Sequence, residues 1–201
     1  MSKRSLILII ISGVLLLTFL LALVFGISSY NGLVKADQSV KKVWGNVETQ
    51  YQRRTDLYSG VIKTIEGSAN FEKTTLKEVL EARASATQIK VDINDPATLA
   101  RYQAAQGQLQ SSFGRLMAVA EAYPDLKTTK AFQDFQTQIE GTENRIGVAR
   151  KDYNKAVEDY NLTVKVFPKN ILANIFGYKE KGYYQAAAGS ENAPDIKFDI
   201  K

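Results

Sequence analysis

The side chains best placed to do chemistry form two short clusters, Arg53, Arg54 and Asp56 in one and Glu140, Glu143 and Arg145 in the other. Guanidinium and carboxylate groups at this density can pair with one another as a shielded ion-pair layer, whose best-attested use is to fix register. They can equally bind an anion or the carboxylate of a partner, and both readings stay open. With no histidine and no cysteine in 201 residues, the commonest general base and metal ligand are missing, as are thiolate nucleophiles, thiolate metal sites and disulfides. No catalytic, metal or cofactor residues are therefore assigned, no cofactor is expected, and the chain reads as a non-enzyme.

Other motifs fail on their spacing. No glycine-rich phosphate loop occurs. Asp92-Ile93-Asn94-Asp95-Pro96 resembles the start of a calcium loop but lacks its central glycine and closing glutamate, and reads as a turn that caps a helix through Asp95. Glu78, Glu81 and Arg83 fall at helical spacing among lysines, as on a solvated face. Asn161-Leu162-Thr163 fits a glycosylation sequon inside an amphipathic helix and is discounted.

Both charged clusters lie on long helical patterns. Phe132, Phe135, Ile139, Thr142, Ile146, Ala149, Tyr153, Ala156, Tyr160, Thr163 and Phe167 alternate steps of three and four, which keeps one seam of a helix against a partner. A second seam runs Tyr30, Leu33, Asp37, Val40, Trp44, Val47, Tyr51, Arg54, Tyr58, Val61 and Ile65, and a third runs Leu99, Tyr102, Gln106, Leu109, Phe113, Leu116, Ala120 and Tyr123. Phe71, Leu76, Val79, Leu80, Ala82 and Ala86 make a shorter fourth, set off by Gly67-Ser68-Ala69-Asn70. The expectation is all-α: four helices over about residues 30–66, 71–90, 96–123 and 128–167, whose short connections give an antiparallel up-down-up-down four-helix bundle. A break near Thr55-Asp56 is the alternative, with Arg53 and Arg54 in a helix's last turn. Matched lengths of the first and last helices favour the break at Gly67. Arg54 then lies as far from Tyr30 as Glu143 lies from Phe167. The six charged residues are thus expected at one level, shielded by Trp44, Tyr51 and Tyr58.

The span Leu6–Ile27 carries no charged side chain and is long enough as a helix to cross roughly 30 Å of hydrocarbon. Its length favours a retained transmembrane anchor at residues 6–27, behind a flank at 1–5, over a cleaved signal peptide ending at Gly26-Ile27-Ser28. Lys3 and Arg4 next to the span place the amino terminus inside and the domain on the outer, periplasmic or extracellular, side of the cell membrane. Net charge is +5, and lysines alternate with carboxylates along every segment, which argues against nucleic acid as a partner. Membrane lipids and other envelope proteins are the expected partners, and seams this long can also support self-association.

Beyond the bundle at 28–167, Ile171, Leu172, Ile175 and Phe176 share a face of a short amphipathic helix, with Tyr178, Tyr183, Tyr184 and three lysines following or among them. Residues 168–184 are expected at membrane level, with Ile171, Leu172, Ile175, Phe176 and Tyr178 touching the headgroup layer. A helix that merely closes the base of the bundle is the competing reading. Residues 185–201 read as a polar tail.

Several stretches together carry a family likeness. Tyr30-Asn31, Trp44, Arg53-Arg54-Thr55-Asp56-Leu57, Phe71-Glu72-Lys73, Ala82-Arg83-Ala84, Tyr123-Pro124-Asp125-Leu126, Glu140-Gly141-Thr142-Glu143-Asn144-Arg145-Ile146, Tyr153-Asn154, Tyr160-Asn161 and Phe167-Pro168 follow the anchor in an order that resembles the LemA family of bacterial membrane proteins. The resemblance implies an all-helical bundle on one amino-terminal anchor and no established enzymatic activity, so no catalytic assignment transfers. Family members usually carry proline and asparagine where this chain has Tyr58-Ser59-Gly60, and commonly histidine at Phe71. Some end the anchor in a lipidated cysteine, where this chain has Phe25-Gly26-Ile27. The functional expectation is a membrane-anchored helical scaffold or interaction protein of the envelope. The alternative is a sensor or binding module for a small anionic or peptidic ligand between helices.

Overall fold

The computed structural model describes residues 3–67 and 72–185, leaving aside the side chains of residues 3 and 6. All regular structure among them is helical. The elements are α1 (Lys3–Glu66), α2 (Lys73–Gln88), α3 (Pro96–Ala120), α4 (Pro124–Lys127), α5 (Lys130–Lys165) and α6 (Lys169–Ile175). The Gly67–Phe71 connection is only partly covered, because residues 68–71 lie outside the described set, as does the tail from residue 186.

Helix α1 is one unbroken 64-residue rod, roughly 96 Å long at 1.5 Å per residue. No proline interrupts it, and its four glycines before Gly60 have open space around them. It passes through Gly26, Ser28 and Thr55-Asp56 without a break, so the anchor and the first bundle helix are a single element. From Ile7 to Ile27 every large apolar side chain stands exposed. An isolated apolar helix of this length needs lipid around it.

Beyond Tyr30 the second seam turns inward. Leu33, Val40, Trp44, Val47, Tyr51, Arg54, Tyr58, Val61 and Ile65 are all buried. Helix α5 lies against this face with opposite sense: Trp44 meets Tyr153, Arg54 meets Glu143 and Gly60 meets Phe135. Helix α3 follows α1 in the same sense, with Tyr102 edge-on to Trp44 and Tyr51, and Phe113 stacked on Tyr58 at 3.6 Å. Helix α2 packs along α3, bridged by Arg115 and Glu78 at 3.2 Å. Gly60 has a steric task, since a β-carbon there would come within 2.8 Å of the Phe135 ring.

Local sequence sets the ends. Asp95 accepts a hydrogen bond from the Ala97 amide at 2.9 Å, and Pro96 fills the first helical position of α3. Thr129 caps α5 through the Phe132 amide. Helix α6 closes when the Tyr178 amide reaches back to the Ala173 carbonyl at 2.8 Å and Gly177 takes a φ of 74°, a conformation that glycine adopts at no steric cost.

Candidate functional site

The buried residues form two apolar clusters. One, toward the membrane, gathers Leu33 to Tyr51 with Leu99, Tyr102, Ile146 to Val164, Ala173 and Tyr184. The other, at the far end, gathers Tyr58 to Ile65 with Val79 to Ala86, Leu109 to Ala120 and Phe132. Arg54 sits between them with no exposed surface. Its Nη1 donates to Glu143 Oε1 at 3.3 Å, and its Nη2 donates to Gln106 Oε1 at 2.5 Å and to the Gln106 carbonyl at 3.1 Å. The guanidinium lies 4.7 Å from the Tyr51 ring centroid and 5.7 Å from that of Tyr58. Its Nε has no partner. Glu143 keeps 28% of its side chain in solvent, so the layer is sealed on one side and open at a carboxylate edge. Burial is the main reason the Tyr58 hydroxyl is pushed well above its ordinary range, with Arg54 opposing and Glu143 adding to the rise.

The structure therefore brings together Arg54 and Glu143 of the six charged residues expected in the layer, and not the other four. Arg53, Asp56, Glu140 and Arg145 are exposed, with Asp56 accepting from Gln52 on its own helix. The reason is helical phase: successive residues are turned by about 100°, so neighbours of a seam position point away from the seam. The missed partner, Gln106, was signalled by its place as a polar residue in an otherwise apolar third seam.

A second constellation holds the chain's return. After Gly177, residues 178–185 leave helix geometry and run as an extended strap away from the membrane end, along α5 and between α1 and α3. Asn161 donates to the Lys181 carbonyl at 3.0 Å and accepts from the Lys181 amide at 2.9 Å. Asn154 does the same for Tyr184, at 2.8 and 2.7 Å. The Tyr160 and Tyr153 hydroxyls donate to the carbonyls of Lys179 and Gly182. Seven residues of α5 advance about 10.5 Å and three extended residues about 10 Å, so the two repeats match.

The strap's side chains are gripped as firmly. Lys181 is buried, its Nζ 2.9 Å from Asp37 Oδ1, bonded to Asn94 Oδ1 and 4.8 Å from the Tyr160 ring centroid. Burial alone would raise the Asp37 carboxyl, but the ammonium groups of Lys41 and Lys181 outweigh it and hold the carboxyl below its ordinary value. The Tyr184 hydroxyl bonds to that of Tyr51, which also accepts from Arg150 Nε at 2.9 Å. The expectation that the whole of residues 168–184 lies at membrane level puts the strap in the wrong place: residues 178–184 run up the bundle, while α6 stays at the Tyr30 end, where Phe176 packs on Tyr30. The helix ends at Ile175, and the chain then climbs because Lys181 takes Asp37, the charge that interrupts the second seam.

The proposed interface residues divide. Ile171, Ile175 and Phe176 are exposed, Leu172 is half-buried, and Tyr178 is half-buried against the membrane-proximal core. Tyr178 thus faces inward rather than out. Phe176 contacts Tyr30, ring centroids 4.8 Å apart. Among the described residues, no three His, Cys, Asp or Glu side chains gather where they could hold a metal ion.

The arrangement can be set beside known proteins. The LemA family profile matches residues 43–198. The chain belongs to the LemA family. The matched region begins within α1, past the apolar span, and takes in the polar layer, the Tyr-Asn pairs of α5 and the strap they hold. This LemA-family chain is similar to magnetosome protein MamQ 2 of Paramagnetospirillum magneticum, at 27% identity over 78% of this chain and 64% of that protein. It is similar to protein LemA of Metamycoplasma hominis at 26% identity, over 78% of this chain and 69% of that protein. Magnetosome protein MamQ of Magnetospirillum gryphiswaldense matches at 23% identity, over 77% and 64%. The chain thus spans a little under two thirds of the length of the MamQ relatives.

Proposed function

We propose that this LemA-family chain is a non-enzymatic, membrane-tethered helical scaffold of the bacterial envelope, with an up-down-up-down four-helix bundle that holds its exposed faces toward other envelope proteins. The observation that carries this reading is the continuity of α1 from the apolar span to Glu66. A helix locked along its outer part by α5 and the strap gives the bundle a fixed direction relative to the span. Its buried charges are used up in holding helices and strap together, which suits a support better than a reaction centre. Lys3 and Arg4 beside the span favour a bundle on the outer side.

Photocrosslinking from Val148, an exposed apolar residue on α5, tests the reading in native membranes. Discrete adducts with envelope proteins, absent from a probe at exposed Lys151, are expected. Equal, diffuse labelling at both positions contradicts the scaffold. For sidedness, Lys151→Cys is expected to react with an impermeant maleimide on intact cells; reaction only after lysis reverses the orientation.

One observation favours the ligand-binding alternative. A groove of about 360 Å³ between α1 and α5 is lined by Asn46, Gln50, Asn144, Arg145, Val148 and Asp152, among others, and the Gln50 Oε1 there is buried without a partner. A melting shift of the purified chain with small carboxylates or phosphate would favour that reading.

A further inference from the structure

Beyond Tyr30, large apolar side chains are exposed mainly in one place. Leu162, Val166, Phe167, Ile171, Ile175 and Phe176 all stand open, Phe167 at 74% and Ile175 at 69%, whereas elsewhere only Leu80, Val148 and Tyr183 do so among the described residues. Ala173, on the other side of α6, is fully buried, so α6 has an inner face that closes the core and an outer face of Ile171, Ile175 and Phe176.

The height of this face is fixed by two contacts. The Trp44–Tyr153 and Arg54–Glu143 register, carried down the pair, sets Phe167 opposite Tyr30, and Phe176 packs on Tyr30 directly. Tyr30 is three residues past the end of the apolar span, about 4.5 Å at the helical rise. The exposed face therefore stands where the hydrocarbon gives way to headgroups. Around it Lys35, Lys169 and Lys179 have no carboxylate partner among the described residues, while Asp37 is held by Lys41 and Lys181 and Glu180 by Lys165. The base of the bundle thus presents apolar side chains ringed by unneutralised lysines.

We infer that α6 and the end of α5 form a second membrane contact, a foot that inserts Phe167, Ile171, Ile175 and Phe176 into the anionic headgroup region of the same bilayer that α1 crosses. Apolar side chains at the acyl boundary with lysines in the headgroups is the arrangement that interfacial helices use, and anionic lipid adds attraction for each lysine. This rests on the membrane-tethered reading and deepens it. Two contacts, the span and the foot, fix both the tilt and the rotation of the rod, which one span alone leaves free.

The test uses the full chain in vesicles of phosphatidylcholine with and without phosphatidylglycerol, with one nitroxide label on an introduced cysteine, since the chain has none. Ile171→Cys and Ile175→Cys are compared with Thr137→Cys at the far end of α5. The labels at 171 and 175 are expected to collide with oxygen several-fold more often, relative to a water-soluble nickel chelate, than the label at 137. The excess is expected to grow with phosphatidylglycerol and to shrink with salt. Equal nickel access at the three sites overturns the foot, as does an excess indifferent to lipid charge. Shielding that comes with dipolar broadening, and disappears when labelled protein is diluted with unlabelled, overturns it too, because a second copy then covers the face. Envelope partners are absent from this system, so its failure leaves the scaffold reading to the crosslinking experiment.

Discussion

Asn161 and Asn154 stand two helical turns apart on α5, and each closes the same pair of hydrogen bonds on the backbone of the strap, at Lys181 and at Tyr184. A side-chain amide that offers one donor and one acceptor copies the edge of a β-strand. The strap is thereby held by its backbone, independently of the side chains it carries.

Asn161→Ala removes both bonds and leaves a buried amide and carbonyl unpaired, which costs about 1 to 3 kcal/mol. Hydrogen exchange is expected to show the Lys181 amide losing protection while the α5 amides keep theirs. Protection unchanged at Lys181 would show that the strap is held by its side chains alone.

The Arg54 layer separates two roles. Glu143→Ala leaves Gln106 in place and is expected to cost about 1 to 3 kcal/mol, since one charge-assisted bond at a partly exposed carboxylate is lost. Arg54→Met, of similar length, removes the buried charge but leaves the buried Gln106 Oε1 without its donor, and is expected to cost about 1 to 3 kcal/mol. Urea titration of both variants checks this. A loss above about 3 kcal/mol for Arg54→Met would mean the ion pair itself holds the bundle together.

Much of this architecture can be read from spacing alone. The second seam predicts nearly every buried residue of α1 beyond Tyr30, because an unbroken helix against a long partner keeps its phase. The seam of α5 does not hold to its end. Thr163 and Phe167 are not buried, while Val157, Asn161 and Val164 are, since a helix of 3.6 residues per turn drifts about 20° per heptad from a strict seven-residue repeat. That drift turns the Tyr-Asn pairs toward the strap. The strap has no periodic signature, being extended and held by helix side chains, so its site was legible only indirectly, in Asp37 as a charged residue within an apolar seam.

Glycine positions give a local test of how α1 and α5 approach. Gly60→Ala puts a methyl group 2.8 Å from the Phe135 ring and is expected to cost about 1 to 3 kcal/mol. Gly45→Ala meets open space and is expected to stabilise by about 0.5 to 1 kcal/mol through helix propensity. Thermal melts of the two variants should move in opposite directions. A Gly60→Ala melt at or above wild type would contradict the close approach of these helices.

Stability should fall on both flanks of neutral pH, for different reasons. Asp37 is held below its ordinary 3.8 in the folded chain, so its contribution is present above about pH 4 and is lost as pH falls through the lower folded value. Burial pushes Tyr153 and Tyr160 from 10.0 to about 12, and Tyr58, Tyr102 and Tyr184 further up. Unfolded tyrosines therefore release protons from about pH 10 while folded ones retain them, and stability declines as pH rises from there. Tyrosinate absorbance followed with circular dichroism is expected to show these residues ionising together with loss of helix. Ionisation of all tyrosines near pH 10 with helix intact would contradict their burial.

The central claim is that anchor and bundle are one rigid helix. Pulsed electron–electron resonance between labels at Ser12→Cys and Gln38→Cys, in full-length protein in nanodiscs, measures this directly, because the pair brackets every glycine and serine where the rod could bend at the bilayer surface. The account predicts a narrow distribution centred at about 39 Å, set by the helical rise over the intervening residues. A broad distribution, or one centred well below that length, would show a hinge between span and bundle and contradict it.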